Sequence, residues 1–176
     1  MSIVSRWWAN QRAARSLPRD SEGSALVEGA VIVPLLIVLL LGVYEFSWFF
    51  YQQHVISSGL RDAARYLARS HDSCGSGPAN WAAVEESAKN LAVRGSITGG
   101  FSRVKGWAPV MVTLRCHQID NLPPASGLAA YRGGSVVYVI TASTQFIEPS
   151  LGFFGLLGLP LPIISVAHSE RVIGPG

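Results

Sequence analysis

From Gly29 to Tyr44 the chain runs sixteen residues without a charge or a side-chain amide, bounded by Glu28 and Glu45. Adding the weakly polar Ser24-Ala25-Leu26-Val27 lengthens the stretch to about 21 residues, near the ~20 that a helix needs to cross a ~30 Å hydrocarbon layer. Past Glu45 the pattern changes. Phe46, Phe49, Phe50, Ile56, Leu60, Ala63, Ala64 and Leu67 recur mostly three and four apart, and Arg61, Asp62, Arg65 and Arg69 fall mostly off that stripe. That spacing predicts an amphipathic helix, continuing the apolar one to about Ser70. Two helices broken near Gly59 are the alternative. A proline inside the apolar run, Pro34, costs one backbone hydrogen bond and predicts a kink near Ala30.

The later segments are shorter. Ser73-Cys74-Gly75-Ser76-Gly77-Pro78 reads as a turn. Trp81, Val84, Ala88 and Leu91 predict a second amphipathic helix, stopped by Gly95 and Gly99-Gly100. Val110, Val112, Leu114 and Cys116 alternate with Met111, Thr113, Arg115 and His117, a one-sided strand. Val136, Tyr138, Ile140, Ala142 and Phe146 make the apolar face of a second strand, and residues 163–172 read as a third. The connection from Gln118 to Gly134, with Pro123-Pro124 and Gly133-Gly134, is too long for a hairpin turn. The expected fold class is α+β: a long helical spine, a short helix and a small antiparallel sheet of about three strands. The expected domains are a basic leader at 1–23, a transmembrane helix at 24–44 and an outer domain at 45–176. Leu151 to Leu161 is apolar but too short for a span and broken by Gly and Pro. It reads as a core loop or as a surface for lipid or another subunit.

Composition sharpens this picture at three points. Only 14% of the residues are charged and 49% are hydrophobic, whereas an average soluble domain is about 25% charged. The formal charge of +3 is scattered, with no basic cluster interleaved with aromatics outside the leader, so no nucleic acid is expected as partner. Arg6, Arg12, Arg15 and Arg19 precede the apolar run, and the positive-inside rule puts that end in the cytoplasm. Everything after about Phe50 is then translocated, with Phe46, Trp48, Phe49, Phe50 and Tyr51 as an interfacial aromatic belt. Conventional signal cleavage lacks a small-x-small site, because Tyr44-Glu45-Phe46-Ser47-Trp48-Phe49 follows the run.

Both cysteines, Cys74 and Cys116, fall on the translocated side. A disulfide is the expectation there. Free thiols and a metal site using His71 and His117 are the alternatives, although adjacent Cys-His is a poor chelating pair. No nucleophile elbow, zinc-protease motif or phosphate loop is present. A set drawn from Ser143, His168 and Asp120 has only residue types in its favour, and His54 falls on the long helix. The chain is therefore expected to be no enzyme and to need no cofactor or metal.

Gly23-Ser24-Ala25-Leu26-Val27-Glu28, then Pro34 and Gly42-Val43-Tyr44-Glu45-Phe46, resemble type IV pilins and, more closely, the TadE-like proteins of the tight-adherence (Flp) pilus system. The resemblance covers about residues 22–66. It implies that a prepilin peptidase cuts between Gly23 and Ser24 on the cytoplasmic face, leaving Glu28 as the fifth mature residue. Gly29 stands where these families usually carry an aromatic residue. A carboxylate at the centre of a bilayer costs roughly 2.5–3.5 kcal/mol. Glu28 lies near one end, where it can snorkel, or it can meet the freed α-amine of a neighbouring subunit and set axial register.

The resemblance further implies a single-pass protein of the bacterial inner membrane, a minor pilin or pseudopilin acting in pilus assembly and adhesion. The implied partners are the prepilin peptidase, other pilin or pseudopilin subunits, the pilus assembly platform and the lipid bilayer. The rival functions are a permanently anchored module that binds another envelope component, and a tethered envelope enzyme.

Overall fold

The computed structural model describes residues 21–70, 74, 78–123, 127, 131, 134–148 and 152–173. The leader arginines, His71, most of the turn at 73–78 and Leu151 lie outside the described residues. Two compact units divide the chain, Met1–Val43 and Tyr44–Gly176.

A single helix, α1, runs from Ser21 to Arg69 and contributes to both units. Its assignment continues through Pro34. In the first unit its described side chains are uncovered: from Gly23 to Val43 the residues are exposed, apart from half-buried Gly29 and Gly42. In the second unit the stripe read from the sequence becomes the core. Ile56, Leu60, Ala63, Ala64 and Leu67 are all fully buried.

The remaining elements assemble on that stripe. Helix α2 spans Pro78–Arg94 and ends on Gly95, whose φ of 74° is the left-handed conformation that closes a helix. A 3-10 turn at Pro109–Met111 leads into strand β1, Val112–Asp120. Strand β2 follows at Val136–Ile147 and β3 at Ile163–Arg171, with a five-residue helix α3, Gly152–Leu156, between them. The sheet is an antiparallel meander in the order β1-β2-β3. The expected α+β class, with its long helix, short helix and three-stranded antiparallel sheet, is what the structure has.

Strand register shows which face is buried. Val112 pairs with Thr144, Leu114 with Ala142 and Phe146 with Ile164. These side chains share one face with Ile140, and all are buried. Ala88, Ala92 and Val93 of α2 join the same core, with Val104 and Trp107 from the connection to β1. The opposite face carries Thr113, Arg115, Thr141, Ser143 and Gln145 and is polar, as the alternation predicts. One assignment needs correcting: Val110 does not open β1 but sits in the 3-10 turn, 86% exposed. Pro109 lacks an N–H for the ladder, so strand pairing starts only after it.

Gly59 does not break α1. It is buried in the middle of the helix, and a Cβ there would overlap the Ala92 carbonyl of α2 and come within 3.1 Å of the Trp107 ring. The glycine therefore permits a close approach of the two helices, where a missing side chain matters more than helix propensity.

Three polar devices lock the periphery. Cys74 and Cys116 form a disulfide, Cα–Cα 5.9 Å, across a sequence separation of 42. Closing a loop of that size contributes about 4 kcal/mol in the chain-entropy model. Buried Asn121 closes the end of the β1–β2 connection: its Nδ2 donates to the Tyr131 and Gly134 carbonyls, and its Oδ1 accepts from the Tyr131 amide. At the end of β3, the Ile173 amide donates to the Ala68 carbonyl, one of the acceptors left open in the last turn of α1.

Gly59→Val should destabilise the folded unit by about 1–3 kcal/mol, the usual cost of overpacking. Thermal unfolding followed by circular dichroism on the detergent-solubilised chain measures this. Replacing the exposed Phe101 by Ser in parallel should leave the midpoint unchanged.

Candidate functional site

The residues read as a processing and assembly site lie along the first turns of α1. Gly23 and Ser24 are exposed and already helical, and a Cβ on Gly23 would meet nothing within 4 Å. Glu28 is one turn further along and exposed, with no ion pair among the described residues. Gly29 beside it is open to the approach of another chain, since a Cβ there also meets nothing. Pro34 falls within the same exposed helix.

α1 is the one described helix long and apolar enough to cross a membrane, and none of its most apolar window of 18 residues is buried. A core helix of a water-soluble domain would be covered by its own protein, and among the described residues nothing covers this window. Exposed apolar side chains on every side of a helix require an apolar environment outside the chain.

Residues 23–65 match the family model described as TadE-like protein. This segment is similar to TadE-like proteins. The match begins at Gly23, runs through Glu28, Pro34 and Glu45, and ends within the buried half of α1. It bears out the resemblance carried by the Gly23–Glu28 string. No curated protein and no solved structure gives a match. A match to the TadE-like model on an exposed apolar helix fits a pilus-associated, single-pass membrane protein.

Beyond the TadE-like segment, the structure separates groups that the sequence left side by side. Ser143 pairs with Ala167 and Ala142 with His168, so Ser143 and His168 project from opposite faces of the sheet and form no catalytic set. His168 instead approaches Glu170, Nε2 to Oε1 2.9 Å, and the same oxygen accepts from Arg65 Nε at 3.2 Å. Cys74 and Cys116 are joined to each other, which removes them as thiolate ligands. Among the described residues no group of three or more His, Cys, Asp or Glu is placed to hold a metal ion.

Two functional details escaped sequence reading. The first is Glu45, which bounds the apolar run yet is only 9% exposed. Its Oε1 accepts the Phe153 amide at 2.7 Å, and Phe46 beside it meets Phe154 edge-to-face at 5.4 Å. α3 is thereby pinned to α1 immediately after the apolar run. The signal available was a charge sitting between two aromatic-rich stretches, but its partner lies 108 positions away. The second is the Arg65–Glu170–His168 cluster, which ties the last strand to α1.

The hydrogen bond from His168 lowers the Glu170 pKa below its ordinary value of 4.5, helped by Arg65 and opposed by desolvation. A carboxylate whose pKa is depressed on folding contributes stability above its unfolded pKa and loses it as pH falls through the folded value. The folded unit should therefore lose stability as pH falls below the ordinary Glu170 value of 4.5 and through its lower folded value, where Glu170 takes up a proton. In Glu170→Gln the same acid limb should be shallower. Urea midpoints measured between pH 6 and pH 3 for the two proteins give the comparison, and parallel curves would remove Glu170 as a contributor.

Proposed function

We propose that the chain is a minor pilin or pseudopilin-like subunit of a tight-adherence (Flp-type) pilus system. It is inserted in the bacterial inner membrane with its amino end cytoplasmic and its α+β unit outside. The observation that supports this most directly is the TadE-like match starting at Gly23 on a helix whose most apolar window is uncovered among the described residues. The Cys74–Cys116 disulfide agrees with an oxidising location for the second unit.

In this reading a prepilin peptidase cuts between Gly23 and Ser24, and Ser24 becomes the amino terminus. α1 then packs against the helices of other pilin-like subunits delivered to the assembly platform. Glu28 meets a neighbour's α-amine in a low-dielectric surrounding, where an unpaired carboxylate is costly and a paired one sets the register. Gly29 leaves room beside Glu28 for the second backbone. Pro34 softens the helix by one hydrogen bond, which suits a segment that exchanges lipid contacts for protein contacts. Adhesion is the downstream consequence.

A permanently anchored interaction module is the second reading, and one observation favours it. α1 is already helical across Gly23–Ser24, so cleavage there requires local unwinding. Intact mass and amino-terminal sequencing of protein extracted from membranes, with and without co-expressed prepilin peptidase, separate the two. Loss of residues 1–23 only with the peptidase is the expected result. A full-length chain in both samples would overturn the pilin-like reading in favour of the anchored module.

Glu28→Ala tests the assembly step on its own. Removing one partner of a pair held in low dielectric costs about 3–5 kcal/mol, enough to reduce subunit association by more than about a hundredfold. Leader removal should persist in this variant while co-purification of the other pilin-like subunits is lost. Undiminished co-purification would remove Glu28 from the assembly role.

A further inference from the structure

From Pro149 to Ala167 no residue carries a charge. Within this stretch the structure describes α3 and the turn that follows it, and their apolar side chains divide into two sets. Phe153 and Phe154 face inward and are half-buried. Leu156, Leu157 and Leu159 face outward, 80%, 51% and 50% exposed. Three large aliphatic side chains held in the open within four residues form a patch that a folded domain does not normally leave to water.

The position of the patch in the second unit is determined by α1. The Phe153 amide is held by Glu45, the first charged residue after the sixteen-residue apolar run, and Phe154 packs on Phe46. Around that point α1 presents Phe46, Trp48, Phe50 and Tyr51, each between 42% and 61% exposed, with Trp48 stacked on Tyr51 at 5.6 Å. Aromatic residues at the end of an apolar span mark the level of the lipid headgroups. The exposed leucines are therefore attached where the chain leaves the hydrocarbon layer.

The backbone of the segment is closed on itself. The Leu157 amide donates to the Phe153 carbonyl, Gly158 to Gly155 and Leu159 to Phe154. Gly158, at a φ of 69°, supplies the left-handed residue that this paired helix ending requires. Glu45 takes the Phe153 amide, one of the first-turn donors without an intrahelical partner. Internal pairing of this kind suits contact with lipid, whereas docking by strand addition would need free backbone groups.

We propose that Gly152–Leu161 is a second membrane contact: an apolar foot that enters the interfacial layer of the bilayer beside the point where α1 emerges. Its occupant is the lipid surface. At ten residues it is too short to span, and its leucines supply the apolar area that interfacial binding uses. The foot gives the second unit a lipid contact of its own in addition to the span. This inference rests on the membrane-spanning reading of α1 and is independent of leader cleavage.

The test uses the full chain incorporated as single copies in nanodiscs of phosphatidylcholine and phosphatidylglycerol. Because both native cysteines are in a disulfide, a lone introduced cysteine can be labelled with bimane under non-reducing conditions. Three variants are compared: Leu156→Cys in the foot, Leu36→Cys in the apolar run, and Phe101→Cys, a site 97% exposed elsewhere in the second unit. Quenchers are doxyl lipids labelled near the headgroup, doxyl lipids labelled deep in the chain, and aqueous iodide.

Leu36→Cys should be quenched by the deep label, which confirms insertion independently of the foot. Leu156→Cys should be quenched by the shallow label at least about twofold more than Phe101→Cys and be shielded from iodide, as expected for interfacial burial. If Leu156→Cys behaves as Phe101→Cys does while Leu36→Cys still reports insertion, the foot is overturned and the spanning reading survives. Shielding that appears only in discs loaded with two copies would also overturn it, since the occupant would then be a second chain. Loss of deep quenching at Leu36→Cys would overturn the spanning reading and the foot together. Leu157→Cys repeats the measurement if Leu156→Cys fails to fold.

Discussion

An apolar helix surface has to be covered by something, and α1 meets that requirement in two ways along its length. From the first turns to Val43 no described residue covers it. From Ile56 onward its apolar stripe lies under the sheet and α2, with Ile56, Leu60, Ala63, Ala64 and Leu67 fully buried. The hydrophobic effect is non-directional, so the same force that builds the core of the second unit obliges the first to find an apolar solvent. The Arg65–Glu170–His168 cluster and the Ala68 carbonyl then secure the end of β3 against the buried half of the helix.

The rest of the second unit is small and depends on close approach and covalent closure. Gly59 brings the α2 backbone against α1, which places Ala88, Ala92 and Val93 within reach of the sheet. Trp107 fills the adjoining space, and its Nε1 donates to Thr144 Oγ1, which in turn donates to the Met111 carbonyl. This chain satisfies a buried indole and a buried hydroxyl together. The disulfide fastens the segment after α1 to the middle of β1.

The junction at Glu45 links fold to function. A carboxylate there could have remained a solvated marker at the end of an apolar run. It instead accepts the Phe153 amide of α3 and places an uncharged, leucine-bearing segment beside the aromatic residues that follow the apolar stretch. The proposed roles of Glu28 and of the foot follow one logic. Each uses an arrangement that is unfavourable or incomplete in an isolated, water-surrounded chain and becomes favourable when lipid or a neighbouring helix is present.

Much of this was legible in the order of residues. The uncharged run from Gly29 to Tyr44, the three-and-four spacing after it and the alternation around Val112–Leu114 and Ile140–Phe146 are local patterns, and local periodicity is enough to determine helix, strand and the covered face. The Gly23–Glu28 string likewise carries its family resemblance within a few positions. What only the tertiary structure decided involves partners far apart in sequence: Gly59 as a contact with Ala92 and not a break, Glu45 as the acceptor for Phe153, Asn121 as the clip of the β1–β2 connection, and Ser143 and His168 on opposite faces. Each depends on which backbone atoms from elsewhere in the chain come to lie against a given side chain. Composition and spacing carry no record of that until the core has packed and the register of the sheet is set.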